Sequence, residues 1–404
     1  MSTPWVDDPN RKRSDAKAGT PKSSGASEDI FLASLMRSAL ANLGLGFISL
    51  AMFFGFLEFV VFRVILTPSD LPYLSSEPGN VLKYKAGQTG VYRIKNEIVA
   101  PFTINQDGWN SLESQYREIL HENEKRICVV GDSYVESLQV ASGANFAEIA
   151  ARELREEYGS VYRFGISGAP LSHYLYMIET EILRFKPAIL VVNLVHNDFH
   201  ESWVAGGGTY DASLARFKVN EDGRVVLSVP ERYQRNWTWW LKTSATFRYL
   251  WVRWKIRPQK LKSIFVKRDK GANLEEEYVA NVQVKDVLDE RIAVGVDHAF
   301  RRLKDIEEVE GLKVIVILDS SSRGGRLRRP DSQSKELMGP VEKLEEMVLS
   351  TAEKFDLTII DLAEVFFRNF QRDEIPFSFK HDGHWNAYAH RIVGGELTRV
   401  VNSL

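Results

Sequence analysis

The sequence predicts an α/β fold: a five-stranded parallel sheet covered by helices on both faces, preceded by one transmembrane helix. Two observations predict it. Five short apolar runs, Ile127 to Val130, Val161 to Phe164, Ile189 to Leu194, Val314 to Leu318 and Leu357 to Ile360, alternate with segments of helical periodicity. Strands that alternate with helices make parallel sheets, and strands buried on both faces read as continuous apolar runs. The second observation is Ser38 to Leu57, where 20 consecutive residues carry no charge.

At about 1.5 Å per residue, that stretch is long enough to cross a hydrocarbon core of about 30 Å. A core helix of a soluble protein would keep a polar face, and this stretch has none. The transmembrane assignment therefore covers residues 38–66, with Val60 to Leu66 reaching into the interface and Glu58 near the outer end. Arg11, Lys12, Arg13, Lys17, Lys22 and Arg37 precede the span, while only Arg63 lies in the twenty residues after Phe62. This asymmetry orients the amino terminus to the cytoplasm and the bulk of the chain outside it, in the periplasm if the cell is Gram-negative. Thr67-Pro-Ser-Asp70 offers no small-residue cleavage site, so a retained anchor is expected.

Residues 1–30 are Ser-, Pro- and Lys-rich with little apolar content, and are expected to be a disordered cytoplasmic tail. Residues 67–96, with several Pro and Gly, read as a stalk. Residues 97–404 form one α/β domain, with helical patterns at Phe146 to Tyr158, Leu171 to Phe185, Asn281 to Glu308, Pro340 to Phe355 and Asn386 to Val401. Between the third and fourth strands, about 200–275 is an insertion. It contains a hairpin pattern from Phe217 to Leu227 around Asp222-Gly223.

With 404 residues, 44% of them hydrophobic and 26% charged, the chain has material for one large domain plus appendages, and its net charge of -2 gives no reason to expect a nucleic-acid partner. Residues 231–270 are an exception, with twelve Lys or Arg against two acids and Trp237, Trp239, Trp240, Trp251 and Trp254 among them. Such a stretch is either a solvated helix with an aromatic stripe packed inward or a surface for anionic lipid or acidic glycan. The single Cys128 lies inside the first strand as a small hydrophobe.

The chemistry concentrates in two places. Arg126-Ile-Cys-Val-Val-Gly-Asp-Ser133 runs a strand into a tight turn that leaves a serine at the strand's carboxyl end, where ligands bind in open α/β sheets. Alone, Gly-Asp-Ser is an ordinary turn. About 250 residues later comes Asp382-Gly-His384, just before the last helical pattern. Acyl transfer by serine needs a base, a group that orients the base, and donors for the oxyanion. His384 is the candidate base and Asp382 the candidate acid; the N–H groups of Ser133 and Gly168 and the side-chain amide of Asn197 are the candidate oxyanion donors, all after strands one to three. Asp132, His196 and Asp198 are candidate substrate contacts, with His200 also near that face. His381, Asp382 and His384 lack the further ligands of a metal site, so no metal and no cofactor are expected. His121, His173 and His298 are read as plain surface or helix residues.

These residues resemble the SGNH (GDSL-type) hydrolase family, in the family's order. Gly131-Asp-Ser133 matches the block that carries the nucleophile, Gly165-Ile-Ser-Gly168 the block whose last glycine is an oxyanion donor, Asn197-Asp198 the end of the third block, and Asp382-Gly-His384 the last. The resemblance covers about three quarters of the chain and implies a three-layer fold and a serine esterase. The layout is similar to the membrane-anchored bacterial branch, in which a span precedes a segment like Asn105 to Trp109. Two departures stand out: Val195-His196 occupies the place where the third block usually begins with glycine, and Asp-x-His replaces Asp-x-x-His. The shorter spacing is similar to that of some glycan O-acetyl transferases and esterases.

The expected function is removal of O-acyl groups, acetyl foremost, from a carbohydrate or small ester. Alternatives are an O-acyltransferase acting on envelope polysaccharide and a non-catalytic glycan-binding envelope protein. Selectivity is expected in the insertion and in the basic loop Arg323 to Arg329.

Overall fold

The computed structural model describes residues 24–77, 80–122, 124–205, 210–235, 238–256, 290–319 and 340–404. The chain forms two units, one ending at Val61 and one beginning at Phe62. The first contains helix α1, Ser24–Phe56, whose winding loosens to a π-helix over Leu57–Ile65. Residues 24–30, expected to lack structure, are instead helical, because extending a formed helix costs far less than nucleating one. Phe31–Ile65 is long and apolar enough to cross a membrane, and none of its most apolar 18-residue window is buried. A soluble-core helix would be mostly buried; a membrane span or a signal sequence fits.

In the second unit, strands β1 (Lys125–Gly131), β2 (Tyr158–Gly165), β3 (Ile189–Leu194), β4 (Lys313–Leu318) and β5 (Thr358–Asp361) form a parallel sheet in the order β5-β4-β3-β1-β2. Each expected strand is present with ends within three residues of its apolar run. Period-two alternation then sends side chains to two cores. Cys128, Val130, Leu190, Val192, Val314 and Val316 enter one. Ile127, Val129, Ile189, Val191, Ile315 and Ile317 enter the other. Burial holds the Cys128 thiol well above its ordinary pKa, so it stays an inert hydrophobe.

The connecting helices are α2 (Ser133–Glu136), α3 (Phe146–Glu153), α4 (Leu171–Met177), α5 (His196–Glu201), α6 (Glu290–Glu310), α7 (Pro340–Lys354), α8 (Leu362–Asp373) and α9 (Ala387–Val401). The first core takes Tyr174 of α4, Val296, Phe300 and Leu303 of α6 and Leu344 and Val348 of α7. The second takes Phe146 and Ala150 of α3, Val365 and Phe366 of α8 and Val393 and Leu397 of α9. The result is helix, sheet, helix in three layers.

Residues 67–96 do not stand apart as a stalk. Leu74–Ser75 pairs with Lys83–Tyr84, and Thr89–Ile94 forms a hairpin with Ile98–Thr103. Val81, Leu82 and Tyr84 belong to the first core, and Lys83 Nζ meets Glu181 at 3.2 Å. The apolar residues between the prolines and glycines draw this stretch onto the domain. The turn at Asn105 to Trp109 follows: Asn105 Oδ1 accepts from the N–H groups of Asp107 (3.0 Å) and Trp109 (2.9 Å), and Gly108 takes φ +90. Trp109 is fully buried 5.2 Å from Phe164, and Asn110 Nδ2 donates to the Glu136 carbonyl at 2.8 Å. This segment thus supports α2, where the serine sits.

In the insertion, Phe217–Val219 pairs with Val225–Leu227, with Gly223 at φ +75 in the turn as expected. Thr238–Thr243, Ala245–Phe247 and Arg248–Arg253 are helical. Residues 257–275, the early part of the expected helix at Asn281, and the loop Arg323 to Arg329 lie outside the described residues.

Candidate active site

All five strands run parallel, and the side on which successive strands are added reverses between β1 and β3, the topological switch point beside which ligands bind at strand carboxyl ends in open α/β sheets. Ser133 comes directly off β1 at that point. Gly131 passes so close to its neighbours that an added Cβ would lie 2.6 Å from Val135 Cγ2 and 3.2 Å from the Asn193 carbonyl. Asp132 then caps α2, its Oδ1 accepting from Tyr134 N–H at 3.0 Å. Ser133 is therefore the first helical residue, its N–H among the first-turn donors without an intrahelical acceptor.

His384 arrives from the loop before α9, and that loop is pinned in several places. Trp385 is buried in the second core, with Nε1 donating to Asp319 at 3.2 Å and its ring edge-on to Tyr134 at 4.8 Å. Asn386 caps α9 through Ala389 N–H (3.0 Å) and donates to the Pro376 carbonyl (2.7 Å). The loop delivers His384 Nε2 to 2.8 Å from Ser133 Oγ. Asp382 Oδ1 bonds His384 Nδ1 and also accepts from the His384 N–H at 3.2 Å. The short Asp-x-His spacing therefore closes on itself, one oxygen serving the ring and backbone of the same histidine. Burial opposes ionisation of Asp382, but His384 and then Lys255 overcome it and hold the acid well below the usual carboxylate range.

The candidate oxyanion donors occupy the same edge of the sheet. Gly168, at φ +75, lies in the loop after β2, whose Gly165 pairs with Gly131. Tyr210 donates its hydroxyl to the Ser167 carbonyl and steadies this loop. Asn197 is in the first turn of α5, just after β3, where its amide donates to Glu201.

Two expected substrate contacts are corrected. Asp198 is fully buried, and its Oδ2 accepts from Val195 N–H at 2.9 Å. Burial, then the nearby Asp132, raises its pKa well above the usual range. Asp132 is 3% exposed and occupied with Tyr134 and with Ser133 Oγ, at 3.3 Å. Both are buried acids, each accepting from a nearby backbone N–H. His196 is half-buried at the start of α5. His381 turns away to Glu97, at 2.7 Å. His173 is buried in α4, accepting from Ala215 N–H at 3.0 Å, its pKa pushed down to about 3 by burial and then by Arg216.

Sequence reasoning missed two residues that touch the loop carrying His384. Tyr134 donates its hydroxyl to the Gly383 carbonyl at 3.2 Å. Lys255 of the insertion donates Nζ to Asp382 Oδ2 at 3.1 Å and to the His381 carbonyl at 2.7 Å. No signal separated Lys255 from the other eleven basic residues of its stretch; adjacency to Ser133 was the only pointer to Tyr134.

Comparison of the sequence with family models and with curated proteins gives no match. Among solved structures, the chain is similar to an acetyl xylan esterase (11% identity, 68% of this chain and 99% of that one, TM-score 0.36). It is also similar to a lipase/acylhydrolase from Enterococcus faecalis (15% identity, 69% and 96%, TM-score 0.35). A third is a putative GDSL-like lipase from Parabacteroides merdae (13% identity, 71% and 99%, TM-score 0.36).

Proposed function

We propose that this chain is a serine ester hydrolase of the SGNH (GDSL) type that removes acyl groups, acetyl foremost, from a carbohydrate or small ester. We further propose that Phe31–Ile65 holds it in a membrane, with the catalytic domain on the extracytoplasmic side. The observation that carries the catalytic reading is the contact of Ser133 Oγ with His384 Nε2 at 2.8 Å, with Asp382 on the opposite ring nitrogen.

His384 Nε2 takes the Ser133 proton as Oγ bonds to the ester carbonyl carbon. Asp382 keeps Nδ1 protonated and stabilises the imidazolium that forms. The negative charge that develops on the carbonyl oxygen is met by the N–H groups of Ser133 and Gly168 and by the Asn197 amide. Collapse expels the alcohol, which takes the proton from Nε2, and leaves an acyl-serine. Water, deprotonated by His384, then releases the acid. The Asp382-x-His384 spacing is shared by transferases and esterases and so leaves one second reading, in which a sugar hydroxyl replaces water and the acyl group is transferred.

The test is labelling of the intact protein by a fluorophosphonate, with the modified residue found by mass spectrometry, alongside turnover of p-nitrophenyl acetate. Label on Ser133, with turnover lost in Ser133→Ala, supports the hydrolase. Undiminished turnover in Ser133→Ala removes the Ser133 mechanism, whereas no label and no turnover in the wild type leaves a glycan-binding protein. Adding a glycan acceptor separates release to water from transfer to sugar.

A further inference from the structure

We infer that Lys255, carried by the Trp-rich insertion, is a positioning residue for the triad acid. This rests on the hydrolase reading above. Asp382 spends Oδ1 on the ring and backbone of His384, which leaves Oδ2 in a site where the side chain is 8% exposed. A buried carboxylate oxygen without a donor is costly. Among the described residues, Lys255 is the one cation other than His384 within ion-pair distance, at 3.1 Å. The same ammonium bonds the His381 carbonyl at 2.7 Å, so it grips the loop at two points just before the base.

Lys255 is itself placed by a built framework. It sits at φ +53 after the helical turns of Arg248–Arg253, and Lys95 N–H donates to the Arg253 carbonyl at 2.6 Å. Arg253 returns a bond to the Lys95 carbonyl at 3.3 Å and another to Thr67 Oγ1 at 3.1 Å. On the other flank, Glu97 accepts from the N–H groups of Lys380 (2.6 Å) and His381 (2.9 Å). The charged and titratable groups facing Asp382 are thus His384, Lys255 and the buried Tyr92 phenol, whose pKa is raised by burial and then by Asp382. The insertion therefore completes the catalytic loop and is more than a surface appendage.

Lys255→Met should lower kcat for p-nitrophenyl acetate roughly 10- to 100-fold, the cost of a misplaced catalytic group, with KM within about twofold of wild type. The acidic limb of kcat against pH should move to higher pH, because losing the ammonium makes Asp382 easier to protonate. Lys255→Arg should keep the limb in place, and ethylammonium should restore part of the rate to Lys255→Ala. Rates are normalised to active sites titrated with fluorophosphonate, so a merely structural loss disappears on normalisation. A normalised kcat and pH profile equal to wild type in Lys255→Met overturns the inference, as does loss of the limb position in Lys255→Arg. If Lys255→Met does not fold, the contrast between the Arg and Gln variants decides by the same readouts. An active Ser133→Ala indicts the hydrolase reading; an inactive one with unaltered Lys255→Met indicts this inference alone.

Discussion

The hydroxyl of Tyr134 donates to the carbonyl of Gly383 at 3.2 Å, so the residue after the serine holds the loop that carries the histidine. The ring of Tyr134 also lies 5.0 Å from the His384 ring. Ser133 and His384, 251 positions apart, are thereby fixed to each other by a contact beside the one they share. Tyr134→Phe keeps the ring and removes the bond, worth about 0.5–1.5 kcal/mol. The expected outcome is a kcat roughly 2- to 10-fold lower with little change in Tm, measured by steady-state kinetics and thermal denaturation.

Asp382→Asn should separate the acid from the shape of its loop. The amide fills the same space but cannot stabilise an imidazolium, and such a change in a serine triad costs kcat about 10⁴-fold. Kinetics on a variant with wild-type circular dichroism check it; a loss under tenfold would show that another group orients His384.

Gly168 and Gly223 both take φ +75, yet their surroundings differ. A Cβ on Gly168 would lie 3.3 Å from the Tyr210 hydroxyl, which steadies that loop, while one on Gly223 meets nothing within 4 Å. Alanine at either position pays about 1 kcal/mol for the left-handed conformation. Only Gly168→Ala should also lower kcat; equal activity in the two variants would remove Gly168 from the oxyanion site.

Glu136 supplies a pH-dependent term. It is buried three residues after the serine, beneath the second strand's loop, bonded by the Tyr84 hydroxyl and by Ser167 N–H. Burial pushes its pKa from 4.5 up to about 8, against the opposing pull of Ser167 N–H and Arg163. The folded chain therefore holds this proton more tightly than the unfolded one. The stabilisation is complete below about pH 4.5 and is lost as pH rises through about 8. Asp382, lowered in the folded state, has the opposite sign and acts below its unfolded value of 3.8, outside this window. Glu136→Gln should lose less stability than wild type between pH 5 and 8, read from urea midpoints; parallel slopes would refute the assignment.

Much of this was readable from residue order. Ile189 to Leu194 is a strand because six apolar residues alternate between two buried faces, which periodicity reports directly. Ser133 and His384 were legible as strand-end and helix-start residues of the right chemistry. Asp198 was not, because adjacency to Asn197 says nothing about which way a first-turn side chain points; it folded back to Val195 N–H. Helix α8 escaped because it starts directly at the end of β5, with Asp361 serving as both last strand residue and cap. Lys255 depended on a contact 127 positions away, which no local pattern encodes.

Val81, Leu82 and Tyr84 lie in the main core and Lys83 meets Glu181, so residues 81–84 are part of the folded domain itself. Cutting the chain just ahead of Lys125 to obtain the sheet alone would strip apolar side chains from that core and remove Trp109 from beneath the serine's helix. A fragment meant to keep this packing has to begin ahead of Val81.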